Sequence, residues 1–304
     1  MTIGDTGASS AMVRWTWQSA PIETEVDEAG AGPTVLLLPA LSSISTRREM
    51  RPLSVRLAGA YRTIVPDWPG FGSRPRPQVD WTPAAYRSFL AFLLREVASD
   101  PLAVVAAGHA ATYVLAQAVE QPDWIKRLVM VAPTWRGPLP TVADGKRPLF
   151  DRIRRWGDVS VLGQALYRLN VNGPMLRMMT TGHVYSDRAW LAGERLSDKL
   201  AVTQAPGARF ASIRFVTGHL DPLSSHGEWI GLFERVTIHD VPVPVRVGHS
   251  AKPDHVAVAL QRQLPPPGYP LLAGDAPGAA GEIDGVDLRL AIISDGVGLD
   301  AAVP

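Results

Sequence analysis

The chain has 304 residues, enough for one large α/β domain or two small ones. Its formal net charge is +1, so bulk electrostatics favour neither nucleic acid nor an anionic membrane. With no cysteine, disulfides, thiolate catalysis and cysteine metal ligands are excluded. The first twenty residues lack an apolar core behind a basic start, and no apolar run is long enough to span a bilayer. These features predict a cytoplasmic protein without a membrane partner.

Val13 to Ser19 and Ile22 to Val26 alternate apolar and polar residues, which predicts two strands. Val35 to Leu38 is wholly apolar and ends at Pro39, the pattern of a strand buried on both faces. Ser45 to Gly59 has helical spacing, with Met50, Leu53 and Leu57 on one face. Tyr61 to Val65 is a further strand, followed by a turn at Asp67 to Gly72. Thr82 and Pro83 open a helix that runs to about Ser99. Leu102 to Ala107 is a short strand running into Gly108-His109-Ala110-Ala111-Thr112, then a helix through Val119 and a strand over Ile125 to Val131. Such alternation argues a mostly parallel sheet with helices on both faces.

After Pro133 the pattern becomes helical or irregular to about residue 235. Alternation then resumes, with a strand over Val243 to Val247, a helix over Asp254 to Leu264, a strand over Tyr269 to Ala273 and a helix over Val286 to Ile293. The expected division is a core of residues 1–133 and 236–304 with a cap of residues 134–235 over the strands' carboxyl ends, where α/β sheets bind ligands.

Three patterns together resemble the α/β-hydrolase superfamily: the apolar run ending Leu38-Pro39-Ala40-Leu41, the turn Asp67-Trp68-Pro69-Gly70-Phe71-Gly72, and Gly108-His109-Ala110-Ala111 between strand and helix. The resemblance implies a mostly parallel α/β-hydrolase sheet flanked by helices, with an inserted helical cap. It also implies that Ala110 stands where the family's Gly-x-Ser-x-Gly elbow carries serine. The backbone N–H groups of Ala111 and Leu41 would then form an oxyanion hole, which needs no side chain at 110. Loss of a triad serine typically costs ~10⁶ in turnover. Pro39-Ala40 also departs from the family's His-Gly.

Two registers remain for the acid and the histidine. In one, Asp221 is the acid and His249 the base. In the other, which accounts for more of the chain and is preferred, Gly248-His249 holds the acid position and Tyr269 to Ala273 is the last strand. No histidine follows that strand, and Asp221 then belongs to the cap or its return segment.

His249 is the candidate base in either register, since its ordinary pKa suits proton transfer. His109 reads first as a structural histidine at the pocket's back wall. Trp135 and Arg136, at the start of the cap, together with Tyr185 and His219, are candidate substrate contacts alongside Ala110 and His109. The basic residues from Lys146 to Arg155 read as a solvated helix face. No histidine cluster has metal-ligand spacing and no nucleotide-binding glycine pattern is present, so neither metal nor cofactor is expected.

The sequence therefore points to an apolar small-molecule substrate; formation of a homodimer stays open. The leading reading is a non-hydrolytic catalyst of C–C bond formation, cyclisation or isomerisation on a polycyclic or polyketide-like natural-product intermediate. Two alternatives stand beside it: a ligand-binding pseudoenzyme, and an ester hydrolase disabled by a Ser-to-Ala change at 110.

Overall fold

The computed structural model describes residues 8–173, 193–238, 245–248, 293–294 and 297–298. Among them, seven strands form one sheet: β1 (Ser9–Trp17), β2 (Ala20–Ala29), β3 (Thr34–Leu38), β4 (Arg62–Pro66), β5 (Ala103–Ala107), β6 (Leu128–Val131) and β7 (Val245–Gly248), in the order β1-β2-β4-β3-β5-β6-β7. β1 and β2 make an antiparallel hairpin whose turn residues, Gln18 and Ser19, both have positive φ. β2 joins β4 antiparallel, and every pairing from β4 through β3, β5 and β6 to β7 is parallel.

The apolar strands are wholly buried because helices cover both faces, and alternate residues serve different cores. Leu36, Leu38, Val104, Ala106 and Met130 face a core with Tyr86, Phe89 and Leu90 of α2 (Pro83–Phe92) and Val114 of α3 (His109–Glu120). Val35, Leu37, Val105 and Val129 face the opposite way, against Met50 and against Leu53 and Leu57 of α1 (Arg51–Leu57). Thr82 caps α2, its side chain accepting from the Ala85 N–H at 3.3 Å. The sequence-predicted helix to Ser99 is met by α2 and a π-helical continuation over Leu93–Val97.

Asp67 anchors the turn after β4. It is buried and takes the Arg47 N–H at 2.7 Å and the Arg47 guanidinium at 2.7 Å. Arg47 also reaches Glu25 and Asp27 of β2, each at 2.8 Å, so one cation stitches β2, the β4 turn and the 3-10 turn Arg47–Met50 together. Gly72 closes the turn at φ +79, where a Cβ would lie 2.5 Å from the Asp67 carboxylate.

Between β6 and β7 the described residues are helical: α4 (Pro138–Val142), α5 (Pro148–Asp158), α6 (Ser160–Asn170), α7 (Gly193–Gln204), α8 (Ala208–Val216) and α9 (His226–Ile238). α9 packs against α3 and buries Trp229 and Leu232 in the main core. β7, beside β6, overlaps the strand expected over Val243 to Val247. The Asp254 to Leu264 and Tyr269 to Ala273 elements lie outside the described residues. Ile293, expected at the end of a helix, starts a two-residue strand β8 (Ile293–Ser294) paired antiparallel with β9 (Val297–Gly298). No helix among the described residues is long and apolar enough to cross a membrane.

Candidate functional site

β5 passes into α3 through one residue, Gly108, with φ 53 and ψ −129. That backbone region is open essentially to glycine, apart from strained functional positions. The turn is tied on both sides. Gly108 donates its N–H to the Val131 carbonyl at 2.9 Å, and its own carbonyl accepts from Ala111 at 3.2 Å and Thr134 at 3.1 Å. A Cβ built on Gly108 would point at Ala40, 3.1 Å from its methyl group.

The apex of the strand-to-helix turn is therefore two residues earlier than the sequence placed it. Ala110 lies in the first turn of α3, fully buried, and Ala111 commits its N–H to Gly108. Neither lines the cavity beside the turn. A helix leaves its first N–H groups without intrahelical acceptors, so the N–H at the apex belongs to His109, the first residue of α3. Leu41, fully buried, is on the loop after β3 that faces it.

A cavity of about 430 Å³ opens over this turn. Ala40, Leu41, Ile44, Gly108, His109 and Thr134 line it from the core, and Val202 of α7 and Phe215 of α8 from the inserted block. Charged residues Arg48, Glu49, Arg195, Asp198 and Lys199 also line it, with Arg48, Arg195 and Asp198 exposed. Lys199 is buried; it donates to the Ile44 carbonyl at 2.9 Å and pairs with Glu49, fastening α7 to the core.

Behind the turn lies a buried polar knot. The Leu220 carbonyl lies 3.2 Å from His109 Nε2 and accepts the Tyr113 hydroxyl at 2.6 Å. A carbonyl only accepts, so His109 carries its proton on Nε2 and presents Nδ1 as an acceptor. That Nδ1 is buried without a hydrogen-bond partner among the described residues. Asp221 Oδ1 lies 3.5 Å from His109 Nε2 and accepts the Gly137 N–H at 2.8 Å. Burial pushes His109 down to about 4 and Asp221 up to about 7. At neutral pH His109 is uncharged, so its contact with Asp221 is not an ion pair.

The Alpha/beta hydrolase family model matches residues 35–286. The chain belongs to the alpha/beta hydrolase family. The solved structures it resembles include the epoxide hydrolase CorEH (TM-score 0.60, 16% identity, covering 84% of this chain and 98% of that one). The haloalkane dehalogenase DatA of Agrobacterium tumefaciens superposes with a TM-score of 0.58 at 14% identity, covering 86% of this chain and 97% of that one. At those identities the likeness is one of fold. An uncharacterized protein of Mycobacterium tuberculosis is 27% identical over 104 residues, which are 34% of this chain and 30% of that relative's length.

Gly108 makes the sharp strand-to-helix turn, with alanines two residues away on either side at 106 and 110. Sequence reading tied the motif's first glycine to Gly108 and so shifted the elbow toward the helix; the signal for the observed register is a lone glycine between an apolar strand and a helix. Asp221 sits in the segment joining α8 to α9, against the elbow helix. Trp135 is buried in the core beside His226, and Arg136 stacks on Trp135 with its guanidinium 4.4 Å from the ring centre; neither lines the cavity. His219 is drawn away from it, bonded through Nε2 to Asp151 and through Nδ1 to Thr217, each at 2.8 Å. His249 and Tyr185 lie outside the described residues. Thr134, Phe215 and the α7 residues carry no motif in the sequence, and only folding brings them to the turn. Among the described residues, no group of three His, Asp or Glu side chains could hold a metal ion.

Proposed function

We propose that this family member binds an apolar, carbonyl-bearing small molecule under its inserted helices and acts on it without a covalent acyl intermediate. The observation that carries this reading is Gly108. The position that would carry a family member's nucleophile has no side chain, and a Cβ there would lie 3.1 Å from the Ala40 methyl group, tighter than an ordinary contact. The backbone of the turn is nevertheless kept. The N–H of His109 and that of Leu41 are the donors for a carbonyl oxygen on which negative charge develops, as in an enolate. The reaction is proton transfer next to that carbonyl, of the kind that cyclisation or isomerisation of a polycyclic intermediate requires. His249 follows directly on Gly248, the last residue of β7, at the carboxyl end of a strand beside β6, and is the proposed base.

A second reading, a ligand-binding pseudoenzyme, draws on His109. It is the histidine that lines the described cavity, and burial at about pKa 4 makes it a weak base. Deuterium exchange separates the two. With 2-tetralone as a bicyclic ketone probe in D₂O, the catalytic reading expects protein-dependent exchange beside the carbonyl, abolished in His249→Ala. Binding without exchange supports the pseudoenzyme. Rapid hydrolysis of p-nitrophenyl esters by the native chain would overturn both. Gly108→Ser combined with Ala40→Gly, which reopens the space beside residue 108, is expected to gain at most trace esterase activity, because a serine alone lacks an aligned base.

A further inference from the structure

Helix α5 turns one face to the protein. Phe150 and Gly157 are buried there, and a Cβ on Gly157 would lie 2.3 Å from Ile213 Cδ1 of α8. Both acids of the helix are engaged from that side: Asp151 by His219, just after α8, at 2.8 Å, and Asp158 by Arg214 of α8 at 2.8 and 3.1 Å. The remaining face is different in character. Leu149, Arg152 and Trp156 follow one another at helical spacing, and Val159 and Val161 are exposed at the corner into α6. Leu149 is 52% exposed, Trp156 51% and Val161 83%. Arg152 and Arg155 are exposed on this helix, and Lys146 and Arg147 just before it.

We propose that the outer face of α5 and the α5–α6 corner dock on an anionic lipid surface. Exposed Trp and aliphatic side chains beside Arg and Lys are what an interfacial helix presents to headgroups and to the acyl boundary beneath them. The net charge of +1 does not oppose this, since attraction acts within about a Debye length and so depends on the local residues. Two copies of the chain meeting on the same face would bring Arg152 and Arg155 against their own images, a like-charge contact. The contact is interfacial and independent of the chemistry proposed under the inserted helices.

The test is co-sedimentation of the full chain with phosphatidylcholine vesicles, with and without phosphatidylglycerol. Binding is expected on the mixed vesicles only, weakening as salt is raised. Each removed arginine lowers partitioning about fivefold, so Arg152→Glu with Arg155→Glu loses at least ~25-fold. Trp156→Ser loses several-fold while keeping the salt dependence. Unchanged thermal melting of these surface variants confirms that they fold. Equal binding to neutral vesicles, no binding to either, or insensitivity to the arginine changes overturns the proposal. So does a dimer, seen by analytical ultracentrifugation, that Trp156→Ser dissolves.

Discussion

Gly108 and Ala40 face each other across the turn, so a Cβ on Gly108 would press within 3.1 Å of the Ala40 methyl group. The positive φ at 108 and the 3.1 Å approach are two independent reasons why a side chain there is strained. Behind them, His109 and Asp221 respond to pH in opposite senses. His109 has a folded pKa of about 4, below its ordinary 6.5, so between those values the unfolded chain holds a proton that the folded chain refuses. Stability from this group therefore rises with pH across that window. Asp221 has a folded pKa of about 7, above its ordinary 3.8, so the folded chain keeps a proton that the unfolded chain releases. Its contribution falls from about pH 4 to about pH 7. Urea midpoints should show Asp221→Asn gaining stability from pH 4 to 6.5, His109→Gln losing it from pH 4 to 7, and the native chain flatter than either. Each slope is at most about 1.4 kcal/mol per pH unit. Equal slopes in the two variants would refute the assignment.

At the scale of elements, the fold's antiparallel edge is joined to its parallel centre by the β2–β4 ladder and two cations, Arg62 on Glu28 and the buried Arg47. Arg47 binds Glu25 and Asp27 from β2 and Asp67 after β4, and Asp67 is pushed above the usual carboxylate range by burial. Arg47→Met keeps much of the side chain's bulk but strands the Asp67 carboxylate. Chemical denaturation near neutral pH should show a loss of about 3–5 kcal/mol. The deficit should shrink in acid, where Asp67 takes up a proton and no longer needs the cation. The Asp67 to Gly72 turn was legible from its residue types, because Asp, Pro and Gly each restrict a turn in a known way. The partner, Arg47, was not legible: it is one arginine among many and 20 residues distant.

For the whole molecule, polar contacts among the described residues anchor the inserted helices to the rest of the chain. Lys199 of α7 binds the Ile44 carbonyl and Glu49. Arg76 donates to the Val202 carbonyl of α7 at 2.7 Å and, through its backbone N–H, to Pro206 at 2.8 Å. Lys199→Met removes one anchor without touching the sheet. Hydrogen exchange is expected to speed up about tenfold over Gly193–Gln204, with the amides of β3, β5 and β6 unchanged. Uniform acceleration across both regions would mean that the helices and sheet open as one unit.

The sequence by itself determined the strands and helices of the first 131 residues, because a strand buried on both faces must be apolar throughout and a packed helix must repeat its apolar residues every three or four. It also determined that no serine stands at the strand-to-helix turn. Only the tertiary structure decided which residue is the apex. A Gly-x-x-x pattern fits more than one register, whereas φ, the helix start and the approach of Ala40 admit Gly108 alone. Tertiary structure also decided that Ala110 and Ala111 serve the helix, that Trp135, Arg136 and His219 turn away from the cavity, and that His109 and Asp221 meet. Those outcomes depend on contacts between segments far apart in the chain, where local periodicity carries no information.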